Sequence, residues 1–232
     1  MPDPSLIAEN IQAVRARMQA ACERVGRAPD AVQLMLVTKT VAVERIRAAL
    51  ACGEFLLGEN KVQEALPKAE ALHESPAIWH FIGHLQTNKV KDVLRFARLV
   101  QSVDRLDLAQ KLNQRLAAEN RKLEILIQVN TSYEESKFGV APDQALELIQ
   151  RVAELPHLQI RGLMTIGLFS EQEAPVRDCF KRLRNLQAEA QILNLPGTDW
   201  ETLSMGMSGD FEWAIEEGAT LVRVGSRIFG AR

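Results

Sequence analysis

The chain has 232 residues, is 47% hydrophobic and 25% charged, and carries a formal net charge of −2. That length suits one barrel or two small domains, and the near-neutral balance gives no global attraction for nucleic acid or an anionic membrane. The opening Met1-Pro2-Asp3-Pro4-Ser5 lacks a signal-peptide pattern, no apolar run approaches the roughly 20 residues that span a bilayer, and Cys22, Cys52 and Cys179 form no close pair, so a cytoplasmic protein without disulfides or zinc is expected.

In chain order, an amphipathic helix is expected from about Ser5 to Val25, stopping before Gly26. The apolar run 32–39 reads as a first strand that ends on Lys39, followed by a helix over 41–52 and a strand over 55–59. Helix 60–73, with Asn60 as its N-cap, leads to strand 77–83; helix 86–96 leads to strand 97–103, and helix 105–119 to strand 123–130. Pro142 opens a helix over 141–154, followed by strand 158–165, helix 171–194, strand 199–205, helix 208–217 behind Ser208, and strand 220–225. Strand followed by helix, with near-continuous apolar strands, predicts a parallel sheet covered by helices. Eight such units predict an α/β fold: a single (β/α)8 TIM barrel with an extra N-terminal helix, in one domain over 1–232.

On such a barrel, functional groups gather at the C-terminal ends of the strands, and phosphate commonly binds the loops after strands seven and eight. Lys39 falls at the end of strand one, Ser208-Gly209 after strand seven and Gly225-Ser226 after strand eight. Glycines let backbone N–H groups approach a phosphate, hydroxyls add donors, and a short helix starting near Ser226 adds a favourable dipole. A lysine amine facing a phosphate clamp points to pyridoxal 5′-phosphate (PLP) held as a Schiff base.

Arg223 lies inside the apolar strand 220–224, where a charge is costly without a partner. It reads either as an ion pair with a barrel carboxylate or as a donor to an unprotonated pyridine nitrogen that also helps keep Lys39 neutral. Asn60 reads better as a helix cap than as a site residue, and His84 equally well as a cofactor neighbour or a loop histidine. His73, His80 and His157 lack metal-ligand spacing, so no catalytic metal is expected. Lys61, Lys68, Lys89 and Lys91 read as a solvated face, and Trp79, Trp200 and Trp213 as barrel packing.

Seven segments then carry a resemblance: Leu36-Val37-Thr38-Lys39, Gly58-Glu59-Asn60-Lys61-Val62-Gln63-Glu64, the stretch from Trp79 to Lys89, Lys137-Phe138-Gly139, Gly162-Leu163-Met164-Thr165, the stretch from Ser204 to Asp210, and the stretch from Arg223 to Gly230. In this order they resemble the PLP homeostasis protein family, also called the YggS or PROSC family, which is similar to the barrel domain of alanine racemase. The resemblance implies that Lys39 holds PLP covalently, that Ser208, Gly209, Gly225 and Ser226 hold its phosphate, that Arg223 faces the pyridine nitrogen, and that Asn60 and His84 line the cofactor. It also implies a carrier acting in vitamin B6 and amino-acid homeostasis and passing PLP to apoenzymes, without an established reaction; a monomer is expected because no exposed apolar stripe in the sequence demands a partner. A two-base racemase needs a second acid/base opposite the lysine, which alanine racemase takes from a second-domain tyrosine. This sequence has one tyrosine, Tyr133, after strand five, and no segment is expected to form a second domain. Two alternatives stand: a small PLP-dependent racemase or lyase using His84 or Tyr133 as second base, and a Schiff-base aldolase whose clamp holds a sugar phosphate.

Overall fold

Leucine-, isoleucine- and valine-rich runs alternate with amphipathic stretches, and a computed structural model describing residues 4–230 turns each pair into a strand and a covering helix. The first three residues of the opening read above for a signal peptide lie outside the described residues. The strands are β1 (Gln33–Val37), β2 (Leu56–Glu59), β3 (Ile78–Phe81), β4 (Leu99–Val103), β5 (Leu123–Gln128), β6 (Leu158–Met164), β7 (Thr198–Met207) and β8 (Leu221–Val224). All pair in parallel, each with the next, and β8 returns to β1 with Arg223 opposite Met35, which closes the barrel. The expected TIM-barrel fold is the observed one.

The helices are α1 (Pro4–Arg24), α2 (Val43–Ala51), α3 (Val62–Ala71), α4 (Val90–Val93), α5 (Leu106–Ala118), α6 (Ala145–Ala153), α7 (Glu173–Ile192), α8 (Phe211–Glu216) and α9 (Ser226–Phe229). Because α9 is a single turn, it cannot cover β8 alone. The leading helix fills that place: α1 packs on α2, α8 and α9 through a buried stripe of Ile7, Ile11, Val14, Met18 and Cys22, spaced at helical periodicity. Residues on the outer face of the strands, such as Leu34, Leu36, Ile125, Ile127 and Val222, meet the helices in one large core, each contributing about 1.5–3 kcal/mol by burial. Leu99, Leu126 and Met164 form a separate small cluster with Ile166 against it.

Five local expectations are corrected. The helix expected over 86–96 is a 3-10 turn, Thr87–Lys89, running into the one-turn α4, and Pro142 opens a 3-10 turn rather than α6 itself. Helix α3 begins at Val62 behind Lys61, so Asn60 does not cap it; the Asn60 backbone instead lies against Gly83, where an added Cβ would meet the Asn60 carbonyl oxygen at 2.0 Å. Helix α8 begins at Phe211 behind Asp210 because β7 runs on to Met207 and uses Ser208 and Gly209 in the turn. Strand β1 stops at Val37, so Lys39 sits in the turn beyond it.

Candidate functional site

The C-terminal ends of β1, β6, β7 and β8 surround a cavity of about 780 Å³. Lys39, Ser208, Gly209, Arg223, Gly225 and Ser226 all line it, so six of the eight residues expected from the sequence meet there. A second cavity of about 290 Å³ shares Lys39, Gly225 and Ser226 and adds Arg45 and Phe229. Asn60 and His84 line neither cavity. His84 stacks on the Phe138 ring, with centroids 3.9 Å apart, and has Asp104 at 3.7 Å from Nδ1. Its environment is the loop beyond β3 and the Lys137-Phe138-Gly139 segment.

Arg223 is buried on β8, where the sequence left its partner open. Among the described residues no carboxylate makes an ion pair with it. One guanidinium nitrogen donates to Ser204 Oγ at 2.7 Å and another to the Thr165 carbonyl at 2.6 Å. Burial lowers its pKa to about 10, opposed by the nearby charge of Asp210, so it remains a cation at neutral pH. Guanidinium only donates, and this orders everything behind it. Ser204 Oγ accepts from Arg223 and gives its one proton to Gln101 Oε1 at 2.7 Å. The Gln101 amide therefore turns its nitrogen to His80 Nδ1 at 3.0 Å, which must accept. The His80 proton accordingly resides on Nε2, and burial, with a smaller contribution from Arg98, lowers the ring pKa to about 4. A directed relay thus crosses the barrel interior from β8 through β7 and β4 to β3.

The wall beyond β7 and β8 is built of small groups. The Gly225 amide donates to Ser208 Oγ at 3.3 Å, and Arg227 Nε donates to the Ser208 carbonyl. Gly225 approaches β1 closely, since a Cβ there would come within 3.0 Å of the Val37 carbonyl oxygen. The Met207 amide donates to Asp210 Oδ1 at 2.6 Å, while burial raises the Asp210 pKa. Hydroxyls and amides on two adjoining turns, with an amine beside them and room for a small ring, fit a phosphorylated aldehyde such as PLP. With α9 only one turn long, individual N–H groups matter here rather than a helix macrodipole.

Comparison with known proteins agrees with this geometry. The Alanine racemase, N-terminal domain family matches residues 7–232. A pyridoxal phosphate homeostasis protein from Aquifex aeolicus is 45% identical over 227 residues, covering 97% of both chains. Its namesake from Pseudomonas aeruginosa is 46% identical over 228 residues, covering 98% of this chain and 96% of its own. This chain belongs to the pyridoxal phosphate homeostasis protein family. A solved relative, PipY of Synechococcus elongatus with PLP bound, superposes with a TM-score of 0.84 at 32% identity, covering 97% of this chain and 100% of PipY. Alanine racemase from Corynebacterium glutamicum shares the fold, with a TM-score of 0.72 at 15% identity over 99% of this chain and 61% of its own.

For this homeostasis-family chain, sequence reading missed four features around the site. Lys68 is buried rather than part of a solvated face: Nζ donates to the Thr38 carbonyl and to Glu59 Oε1, both at 2.7 Å. Its signal was Glu59, a carboxylate closing an apolar strand and needing a partner. Trp213 lines the large cavity instead of serving only as packing, and Leu168, Phe169, Ser170 and Glu171 after β6 complete its rim. The relay members Gln101 and Ser204 were visible as polar residues inside apolar strands, yet nothing in their spacing links them. Tyr133, weighed as a second base, lies outside the cavity lining, exposed and with the Arg182 guanidinium 5.0 Å from its ring centroid. Among the described residues no cluster of histidine, cysteine and carboxylate groups suits a metal ion, and no helix is long and apolar enough to cross a membrane.

Proposed function

We propose that this protein binds PLP in the large cavity and serves its homeostasis, holding the cofactor reversibly and passing it to apoenzymes in the cytoplasm. The observation that carries this reading is the convergence of Lys39, Arg223 and the Ser208–Gly225 wall on one cavity. When bound, PLP supplies an aldehyde for an amine to attack, a phosphate to anchor, and a ring whose electron demand depends on its nitrogen. Lys39 provides the amine. Ser208, Gly209, Gly225 and Ser226 would hold the phosphate, and Arg223 would face the pyridine nitrogen. Asn60 and His84 take part from the neighbouring strand ends, outside the cavity lining.

Arg223 argues for a carrier over a catalyst. A guanidinium can only donate to an unprotonated ring nitrogen, which weakens the ring as an electron sink. Neither His84 nor Tyr133 reaches the cavity lining to act as the second base of a racemase or lyase. Names of the relatives, which refer to homeostasis, support the same reading. We further propose a monomer with residues 1–232 acting as a single PLP-binding domain.

Borohydride reduction followed by peptide mapping tests the reading. A pyridoxyl group should be found on Lys39, and Lys39→Ala should keep its fold while losing the covalent label; a label on another lysine overturns the assignment. Visible absorbance of the purified protein would separate PLP from the sugar phosphate of an aldolase. Exchange of the alanine α-proton at about 1 per second or faster would replace the carrier with a racemase.

A further inference from the structure

The turn that presents Lys39 is held in an unfavourable backbone conformation by three charged side chains of the neighbouring strand and helix. The Val41 amide donates to the Thr38 carbonyl at 2.9 Å, which makes 38–41 a tight turn with Lys39 and Thr40 at its centre. Thr40 has a φ of +63°, a left-handed conformation that glycine takes freely and a β-branched residue resists. Such a backbone persists only where its surroundings over-determine it, and it concentrates at functional sites.

Here the surroundings come from β2 and α3. Glu64 Oε2 accepts the Thr40 amide at 2.8 Å, and this bond leads the effects that hold the Glu64 carboxyl below its ordinary pKa. On the other side of Lys39, the Thr38 carbonyl accepts from Lys68 Nζ at 2.7 Å, and the Thr38 hydroxyl donates to Glu59 Oε1 at 2.7 Å. Lys68 joins the two acids, at 2.7 Å from Glu59 and 3.9 Å from Glu64. Each residue flanking Lys39 is therefore tied to the same carboxylate–ammonium cluster. The cluster is not there for α3 alone. Burying Lys68 and Glu59 carries a desolvation cost that a hydrophobic pair would avoid.

We propose that Glu59, Glu64 and Lys68 are positioning residues, which clamp the strained 38–41 turn so that the Lys39 amine is directed into the cavity. The inference rests on Lys39 being the amine that takes up PLP, and its test separates failure of either idea. None of the three carboxylate or ammonium groups acts on PLP itself; they act through the backbone on either side of Lys39.

The test uses Glu64→Gln, Lys68→Met, Thr40→Gly and the double variant Glu64→Gln/Thr40→Gly. In each, the rate of pyridoxyl attachment to Lys39 is followed by borohydride quench and peptide mapping. Competitive acetylation of Lys39 is measured in the PLP-free protein, with thermal midpoints as a folding control. Glu64→Gln and Lys68→Met should slow attachment about tenfold or more, as expected when a reacting group is misplaced by a fraction of an ångström, and should change the Lys39 acetylation rate. Glycine at position 40 adopts the left-handed backbone without help, so the double variant should return to within about twofold of wild type. A merely structural cluster would not give that rescue. If Lys68→Met does not fold, the more exposed Glu64 site carries the test. Labelling of another lysine in wild type would overturn the Lys39 reading. Wild-type labelling at Lys39 with unchanged rates in the variants, or slowed rates that Thr40→Gly leaves unrepaired, would overturn the clamp.

Discussion

His80 is neutral at physiological pH because burial opposes its charge and because Nδ1 must accept from Gln101. Its folded pKa of about 4 lies below the ordinary 6.5, so the unfolded chain binds the proton first as pH falls. The stability it contributes is complete above about 6.5, is lost progressively toward 4, and amounts to about 3 kcal/mol in that window. Glu59 acts in the opposite sense, since burial raises its pKa and the folded state holds its proton more tightly. Comparing wild type with His80→Leu isolates the histidine. The urea midpoint of wild type should fall more steeply between pH 7 and pH 4.5 than that of the variant, and parallel curves would reject the assignment. His80→Leu should also be destabilising at pH 7, because Gln101 Nε2 loses its acceptor.

At the scale of elements, the turns after β7 and β8 form one wall, through the Ser208–Gly225 bond, and β1 supports it from behind. Gly225→Ala would put a methyl group within 3.0 Å of the Val37 carbonyl oxygen and 3.2 Å of Val37 Cβ, pushing this wall off β1. PLP affinity, measured by equilibrium titration, should drop about tenfold in Gly225→Ala. Pyridoxal, which lacks the phosphate, should bind wild type far more weakly than PLP and respond little to the same substitution. Equal affinities for pyridoxal and PLP would remove the wall from the phosphate site. The clamp on Lys39 belongs to this scale too, because β2 and α3 act on a turn in β1's loop.

At the scale of the molecule, closing eight strands into a ring requires backbone to approach backbone where β6 meets β7. Gly162 sits at the register shift there with a φ of +139°, and a Cβ would lie 1.8 Å from the Thr202 carbonyl oxygen. Gly162→Ala should therefore cost about 3 kcal/mol or more, because the two strands must separate or the chain must take a strained backbone. A thermal midpoint within a degree or two of wild type would show that the barrel absorbs the change. Closure also creates the interior relay, since the neighbouring pairs His80–Gln101 on β3 and β4 and Ser204–Arg223 on β7 and β8 are joined across the lumen by the Gln101–Ser204 bond.

The sequence by itself determined the parallel barrel and the address of six cavity residues. Apolar strands alternating with amphipathic helices leave few other ways to bury both faces of a sheet, and the turns rich in glycine and hydroxyls after the last two strands fall where that barrel commonly binds phosphate. Local bonds were less legible. Asn60 has the chemistry of a cap, but the chain reaches α3 one residue later and spends Asn60 against Gly83. Lys68 has helical periodicity suited to solvent, yet its ammonium is drawn inward by Glu59 and the Thr38 carbonyl from other elements. Tertiary structure alone decided these points, as well as the left-handed Thr40 and the proton order from Arg223 to His80. They depend on hydrogen bonds or, for Asn60, on a close backbone approach between residues distant in sequence, and periodicity reports which face a residue occupies without reporting what that face meets.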